Sequence, residues 1–334
     1  MLKNKMKVLV TGSAGHLGEA LMRVAPQEGW DAVGLDLKTS QYTNFVGSIV
    51  DRDFVHDCVA GVDVIFHTAT LHKPHVGTHT RKEFIDINIS GTLNLLEEAV
   101  VQRCQALIYT STTSTFGAAL RPPGGAPAVW VTESLQPQPK NIYGVTKCAA
   151  EDLCALFHRK AKLPCIVLKT SRFFPEADDD KSKRDAFDDE NLKVNELLFR
   201  RVDIADLVTA HIQAAKRAET IGFDKFILSA TTPFRRADAG ILAVDAPSVL
   251  EHYMPEYAQL YTKLGWSMFK EIDRVYDNTH AREVLGWSPK YSFERALENV
   301  KKGFDYRSEL ARKIGSKGYH DIEFGDEPYP VDGF

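Results

Sequence analysis

The chain has 334 residues, 44% hydrophobic and 26% charged, with a formal net charge of −4. That is enough for a substantial core in one domain or two intimate lobes, with no basic field to attract nucleic acid. No apolar run approaches the ~20 residues needed to span a bilayer, so neither a membrane nor a nucleic acid is an expected partner.

The basic N-terminus leads only into a short apolar run at 8–10, which reads as a buried strand and not as a secretion signal. Five scattered cysteines with no Cys-x-x-Cys pair read as reduced thiols of a cytoplasmic protein.

Residues 5–11 read as the first strand. Gly12, Ser13, Ala14, Gly15, His16, Leu17 and Gly18 follow at once, then a helical pattern over 19–25. Strand, glycine loop and helix N-terminus together make a pyrophosphate site, because the backbone approaches closely and the helix dipole faces the anion. A second strand at 31–36 ends on Asp36. A carboxylate there accepts hydrogen bonds from a ribose 2′-hydroxyl and repels a 2′-phosphate, favouring NAD over NADP; Lys38 beside it keeps NADP open. A third strand is predicted to end near Val46 and Gly47, with Ser48 and Ile49 where an adenine would sit.

Residues 62–67 form a predicted buried strand running into the small-residue turn Thr68, Ala69, Thr70. A helix from Arg81 carries Asn88, Gly91 and Asn94, and residues 106–110 form a fifth strand opening into the hydroxyl-rich run 110–115. Strands alternating with helices at this rhythm predict an α/β fold. It is a doubly wound parallel Rossmann sheet with ligand at the carboxyl ends of its strands and a smaller C-terminal substrate-binding lobe. Tyr143 and Lys147 then fall one helical turn apart on one face. An ammonium beside a phenol lowers the tyrosine pKa and suits it to exchange a proton with an alcohol or carbonyl.

These motifs, in this order, resemble the extended short-chain dehydrogenase/reductase family, also called the NAD-dependent epimerase/dehydratase family. The matching residues are the 11–18 loop, Asp36, His67 to Ala69, Asn88 to Leu96, Tyr109 to Gly117, Glu133, Tyr143 and Lys147. Weaker similarity runs through 203–211 and 277–289.

The resemblance implies roles. Tyr143 is the expected acid/base, Lys147 the holder of the nicotinamide ribose, and Thr112 the hydroxyl that polarises the reacting oxygen. NAD is the expected cofactor. Its expected contacts are the loop residues Gly12, Ala14, Gly15, His16, Leu17 and Gly18, with Asp36, Ser48, Ile49, His67, Thr68, Ala69, Asn88, Thr110, Ser111, Tyr143, Lys147 and Thr170. A homodimer is expected through 81–103 and 143–162, with Leu93, Leu96, Ala149, Leu153 and Leu156 as its apolar positions.

Three departures from the family pattern bear on substrate. Arg172 stands where nucleotide-sugar epimerases carry an asparagine, no Arg-x-Gly-Asp segment precedes the late helix, and Thr113-Ser114 replaces the Asp-Glu pair of dehydratases. The last disfavours elimination, since no acid is at hand for a leaving hydroxyl.

Arg172 has two readings: recognition of a substrate carboxylate or phosphate, or pairing with the acidic segment that follows it. That segment, 176–190, reads as a mobile solvated insertion or as a lid. His67, His72, His75 and His79 lie close in sequence. No metal site is expected from their spacing. His67 is expected to pack beneath the cofactor, and His72 and His75 lie on a loop that either touches substrate or is solvated. With Thr112, Thr113 and Arg172 they complete the candidate substrate contacts.

Residues 1–170, with 200–230 returning to them, are assigned to the NAD-binding domain. Residues 171–199 and 231–334 are assigned to the substrate lobe and a C-terminal strap that includes 325–331. The aromatic-rich stretch 253–266 reads as core.

The function expected is NAD-dependent hydride transfer at a secondary alcohol or ketone of a carbohydrate-like, acidic small molecule, as a dehydrogenase or an epimerase. A nucleotide-sugar 4-epimerase with retained NAD is the alternative, and a non-catalytic NAD sensor is the alternative of another class.

Overall fold

Among residues 5–318, which the computed structural model describes, nine strands form two sheets. They are β1 (Lys7–Thr11), β2 (Asp31–Asp36), β3 (Phe45–Val46), β4 (Val64–His67), β5 (Ala106–Thr112), β6 (Val129–Val131), β7 (Cys165–Thr170), β8 (Phe223–Leu228) and β9 (Arg274–Tyr276). The predicted tail strap at 325–331 lies outside the described residues.

Seven strands form one sheet in the order β3-β2-β1-β4-β5-β7-β8, and each neighbouring pair is parallel. The chain winds outward in one direction from β1 and in the other from β4. The crevice between β1 and β4, at the carboxyl ends of the strands, is therefore the topological place for a ligand. The remaining strands, β6 and β9, form a small parallel ribbon.

Strand alternation splits the apolar residues between two helix layers. Val8, Val10, Phe66, Ile108 and Leu168 face Leu17 and Leu21 of α1 (His16–Val24) and Val208 and Ile212 of a later helix. Leu9, Ile65, Leu107 and Val167 face the other way, against Val55 of α2 (Arg52–Val59) and further helices that carry Leu95, Ala150 and Cys154. Strands covered on both faces are continuously apolar, as β4 and most of β5 are.

The helix predicted from Arg81 is α3 (Arg81–Ile85), one π-helical turn (Asp86–Ser90) and α4 (Gly91–Val101). The π turn adds a residue to the helical repeat and rotates Asn88 inward. Next, α5 (Ile142–Ala161) opens on Asn141, whose side chain accepts from the Gly144 amide at 3.1 Å. That cap fixes the first turn, which carries Tyr143.

Segment 176–190 is exposed over most of its length, as a solvated insertion would be, but is anchored at its start. Asp178 is 4% exposed, and α6 (Lys181–Ala186) and the start of α7 (Asp189–Glu196) form within the segment. Asp178 and Asp179 are drawn in by Arg172 and Lys73, contacts that spacing alone does not reveal. After α8 (Ile204–Ile221) and β8, the chain builds a separate core in which Leu192, Phe199, Leu250, Tyr257, Tyr261 and Phe293 pack together. The aromatic stretch belongs to that core, as its helical spacing predicts.

The five cysteines are unpaired, and Cys58, Cys104, Cys154 and Cys165 are buried. Among the described residues, no helix is long and apolar enough to cross a membrane.

Candidate active site

A cleft of about 1450 Å³ opens along the carboxyl ends of the strands. One end is the glycine loop. Gly12 has φ of +72°, and a Cβ there would lie 2.8 Å from the Ala69 amide nitrogen; a Cβ on Gly18 would lie 1.9 Å from the Gly12 carbonyl oxygen. Only glycine lets loop, turn and helix close to this distance. The α1 N-terminus has no side-chain cap, so its amides are presented to the cleft as an anion site.

Asp36 ends β2, with Oδ2 accepting from the Ala14 amide at 2.9 Å and Oδ1 from the Lys38 amide at 2.8 Å. The carboxylate is thus held beside the loop, and its remaining lone pairs suit a ribose diol. A dinucleotide fits this cradle of bare backbone, helix terminus and fixed acid.

Ala14, Gly15, His16, Leu17, Ser48, Ile49, Thr68, Ala69, Thr110, Ser111 and Thr170 all line the same cleft, together with His72, His75, Thr112, Thr113 and Arg172. Two expected cofactor contacts do not. His67 is 1% exposed and bridges Thr11 Oγ1 and Thr92 Oγ1 at 2.8 and 2.9 Å. Burial drives its pKa down to about 3, so it is a neutral core residue beneath the cleft floor. Asn88 spends its amide on Thr70, Leu71 and Thr146. Turned inward by the π turn, it ties the 68–71 turn to α5 and touches no ligand space.

The hydroxyls of Thr110 and Ser111 also point away from the cleft. Thr110 Oγ1 meets His211 Nε2 at 2.8 Å, and Ser111 Oγ donates to Glu151 Oε1 at 2.5 Å. What Thr110 offers the site is its carbonyl, which accepts from Lys147 Nζ at 2.7 Å.

Tyr143 is 6% exposed, and both it and Thr112 line the cleft. Burial pushes the tyrosine pKa up to about 12, against the opposing pull of Thr112. The lysine-lowered tyrosine expected from the helix spacing is therefore not what the fold produces. Lys147 itself is 2% exposed and lies 4.2 Å from the centre of the Tyr109 ring. Burial brings its pKa down to about 7, while Glu151 one turn further along the helix works to raise it. A desolvated ammonium whose pKa burial has lowered has less charge to lend the phenol.

Arg172 shows the second of its two readings. Its guanidinium meets Asp178 at 2.6 Å, Asp179 at 3.0 Å and Glu196 at 3.2 Å. On the facing loop, the His72 ring lies 6.3 Å from the Tyr143 ring and 5.7 Å from Phe174. Burial holds this imidazole neutral, well below its usual range.

Several cleft residues escape sequence reasoning. Glu176 accepts from His16 Nε2 at 2.8 Å, from Ser316 at 2.9 Å and from the Lys317 amide at 3.1 Å; Lys317 Nζ reaches Glu19 at 2.5 Å. Residues 316–318 are thereby held at the cleft beside α1. Behind Tyr143 and Lys147, Glu151 binds Lys169 at 2.5 Å and Lys225 at 2.9 Å, both carboxylate and Lys169 being buried. A lysine inside the apolar strand at 165–170 and a glutamate four residues after Lys147 are the signals that could have found this cluster. Glu133 has a structural place, accepting from the Ile227 amide at 2.8 Å.

A family model described as the NAD dependent epimerase/dehydratase family matches residues 8–222. The chain is 24% identical to a UDP-glucose 4-epimerase of Rhizobium meliloti, over 88% of this chain and 95% of that one. It is 30% identical to the uncharacterized protein y4nG of Sinorhizobium fredii, over 44% of this chain and about a third (36%) of that one. Among solved structures, a UDP-N-acetylglucosamine 4-epimerase from Bacillus cereus superposes with a TM-score of 0.62 at 19% identity, covering 89% of this chain and 98% of that one. A short-chain dehydrogenase/reductase superfamily protein from Agrobacterium tumefaciens with bound NAD gives 0.63 at 19%, covering 89% and 96%. At these identities the structural likenesses establish the fold alone.

Proposed function

The chain belongs to the NAD dependent epimerase/dehydratase family and is an NAD-dependent enzyme of the extended short-chain dehydrogenase type; on that premise we propose that it transfers hydride at a secondary alcohol or ketone of a carbohydrate-like substrate, with Tyr143 as the proton donor and acceptor. The observation that carries this reading is the convergence of buried Tyr143, Thr112 and Lys147 on the wall of the cleft, the tyrosine and lysine one helical turn apart.

NAD, when bound, supplies the hydride acceptor and donor. The loop from Gly12 to Gly18 would hold its pyrophosphate, Asp36 a ribose diol, Ser48 and Ile49 the adenine, and Lys147 the second ribose. Thr112 fixes the substrate oxygen against the phenol and polarises it. With a pKa near 12 the phenol is protonated at neutral pH, so it gives its proton to a carbonyl oxygen during reduction. The phenolate left by that step is the form that takes the alcohol proton in the reverse direction. Lys147, already near neutrality, is anchored by the Thr110 carbonyl and adjusts its charge at little cost. His72, His75, Thr113 and Arg172 border the space left for the substrate, and the lobe from 171–199 and 231–334 closes that side.

Two further parts of the reading rest on specific surfaces. Exposed Ile85, Val145 and Leu156, at 44%, 47% and 39%, support a homodimer through α3 and α5. Leu96, by contrast, is fully buried in the core and is not available to a partner. Unpaired cysteines support cytoplasmic residence.

Replacing Tyr143 with Phe tests the proposal. Loss of hydride transfer with NAD binding retained supports it, and near-normal turnover ends it. The relative from Rhizobium meliloti favours a second reading, 4-epimerisation of a nucleotide sugar with NAD retained. NAD that stays with the purified protein, and no net NADH on turnover, would select that reading over a dehydrogenase. Sustained NAD binding with no hydride transfer to any sugar or hydroxy acid would instead indicate an NAD sensor.

A further inference from the structure

Lys147 is buried among groups that act on its charge from several elements. Burial brings its pKa down; on its own helix Glu151 and Cys154 work to raise it, and Lys169 on β7 works to lower it. Burial also pushes Tyr143 up to about 12, and it holds His67 on β4 and His72 in the loop that follows well below their usual range. These three neighbours are therefore uncharged near neutrality. The closest contacts of the ammonium come from β5. The Thr110 carbonyl accepts from Nζ at 2.7 Å, and the centre of the Tyr109 ring lies 4.2 Å from Nζ, which stands over the ring face.

Tyr109 is fixed in that place. It is 1% exposed and packs in the same layer as Ala150 and Cys154 of α5. His67 stands opposite it in the β4–β5 register, with the two rings 5.4 Å apart. That imidazole is in turn held by the Thr11 and Thr92 hydroxyls. Tyr109 Oη is buried and meets no hydrogen-bonding group among the described residues. A buried phenol ordinarily finds a partner for its hydroxyl. Here the hydroxyl holds nothing, and what the side chain offers Lys147 is the face of its ring.

We infer that Tyr109 is a positioning residue, whose ring face holds the Lys147 ammonium beside Tyr143 where the nicotinamide ribose would lie. This rests on the hydride-transfer reading of Tyr143 and Lys147. The negative face of an aromatic ring attracts an ammonium and repels the lone pair of an amine. The attraction is strongest where water is excluded, as it is around this nitrogen. Tyr109 thus biases a buried lysine toward its charged form, against burial and Lys169. The ammonium hydrogens not given to Thr110 can then reach a ribose hydroxyl. The same charge balances the phenolate that Tyr143 becomes once it has given its proton.

Carbon NMR of the full chain with isotope-labelled lysine tests this without a substrate. The pH midpoint of the Lys147 Cε signal, assigned by its loss in Lys147→Met, reads the charge directly. Tyr109→Phe should keep the wild-type midpoint, because the ring face remains and the hydroxyl had no partner. Tyr109→Leu should lower the midpoint by roughly one pH unit, a tenfold loss of ammonium relative to amine. Phenylalanines bearing one, two and three ring fluorines at position 109 should lower it stepwise, since fluorine drains the ring face and leaves its shape nearly unchanged. The inference is overturned if the fluorinated chains keep the wild-type midpoint, or if Tyr109→Phe shifts it as far as Tyr109→Leu. The fluorinated series keeps a buried ring, so the answer does not depend on whether the leucine variant folds. Hydride transfer in Tyr143→Phe is read separately, and either proposal can fail while the other stands.

Discussion

Ser111 and Glu151 are joined by a hydrogen bond of 2.5 Å that clasps the end of β5 to the middle of α5. Thr112 is the next residue on that strand, and Tyr143 lies two turns earlier on that helix. The clasp therefore sets the distance between the Thr112 and Tyr143 hydroxyls, the two groups proposed to meet the reacting oxygen. Lys169 and Lys225 complete it from β7 and β8.

Glu151→Gln should lower stability by about 3–5 kcal/mol, because it leaves buried Lys169 without its counter-charge. Burial works to raise the Glu151 pKa, but the two lysines and Ser111 prevail and hold it below the usual carboxylate value. A depressed carboxylate contributes stability above its unfolded pKa and loses it as pH falls through the folded one. Wild type should thus lose this contribution in acid, and Glu151→Gln should show a flatter dependence in denaturant titrations across that range. Loss of Glu151 also removes the charge that raises Lys147. Any kinetic limb assigned to Lys147 should move to lower pH.

Tyr143→Phe should reduce kcat by roughly 10²- to 10⁴-fold, the usual worth of a positioned acid/base. NAD affinity should be unchanged, which equilibrium binding will establish. Thr112→Val should also reduce kcat, by about 10²-fold, since it removes a donor to the reacting oxygen.

Gly18→Ala should abolish NAD binding without abolishing the fold. The added Cβ would sit 1.9 Å from the Gly12 carbonyl oxygen, and the loop can relieve that only by opening. Circular dichroism beside NAD titration separates the two effects. Wild-type NAD affinity in this variant would refute the close approach.

Glu176 predicts an acid-sensitive strap. Burial works to raise its pKa, but His16 and the Lys317 amide bring it down to about 2. Its contribution is present above about 4.5 and lost as pH falls towards 2. Glu176→Gln should release NAD several-fold faster at neutral pH, because residues 316–318 lose their anchor at the cleft beside α1. Stopped-flow dissociation of NAD measures this, and an unchanged rate would show that the strap does not cover the cofactor.

The family pattern of glycine loop, Asp36, Thr112, Tyr143 and Lys147 was legible in the chain because each is a local requirement. Close backbone approach, a fixed acid after a strand, and one helical turn between two side chains are all matters of spacing. Strand rhythm likewise determined the parallel doubly wound sheet. Directions of side chains and balances of charge are not local. The π turn that removes Asn88 from the cleft depends on packing against α5. The burial that raises Tyr143 and lowers Lys147 comes from elements far apart in sequence. Arg172 was conspicuous in the chain, yet only tertiary contacts decided that three carboxylates hold it. Charge in a folded protein is settled by whichever groups the fold brings within a few ångströms, and spacing along the chain carries no record of that.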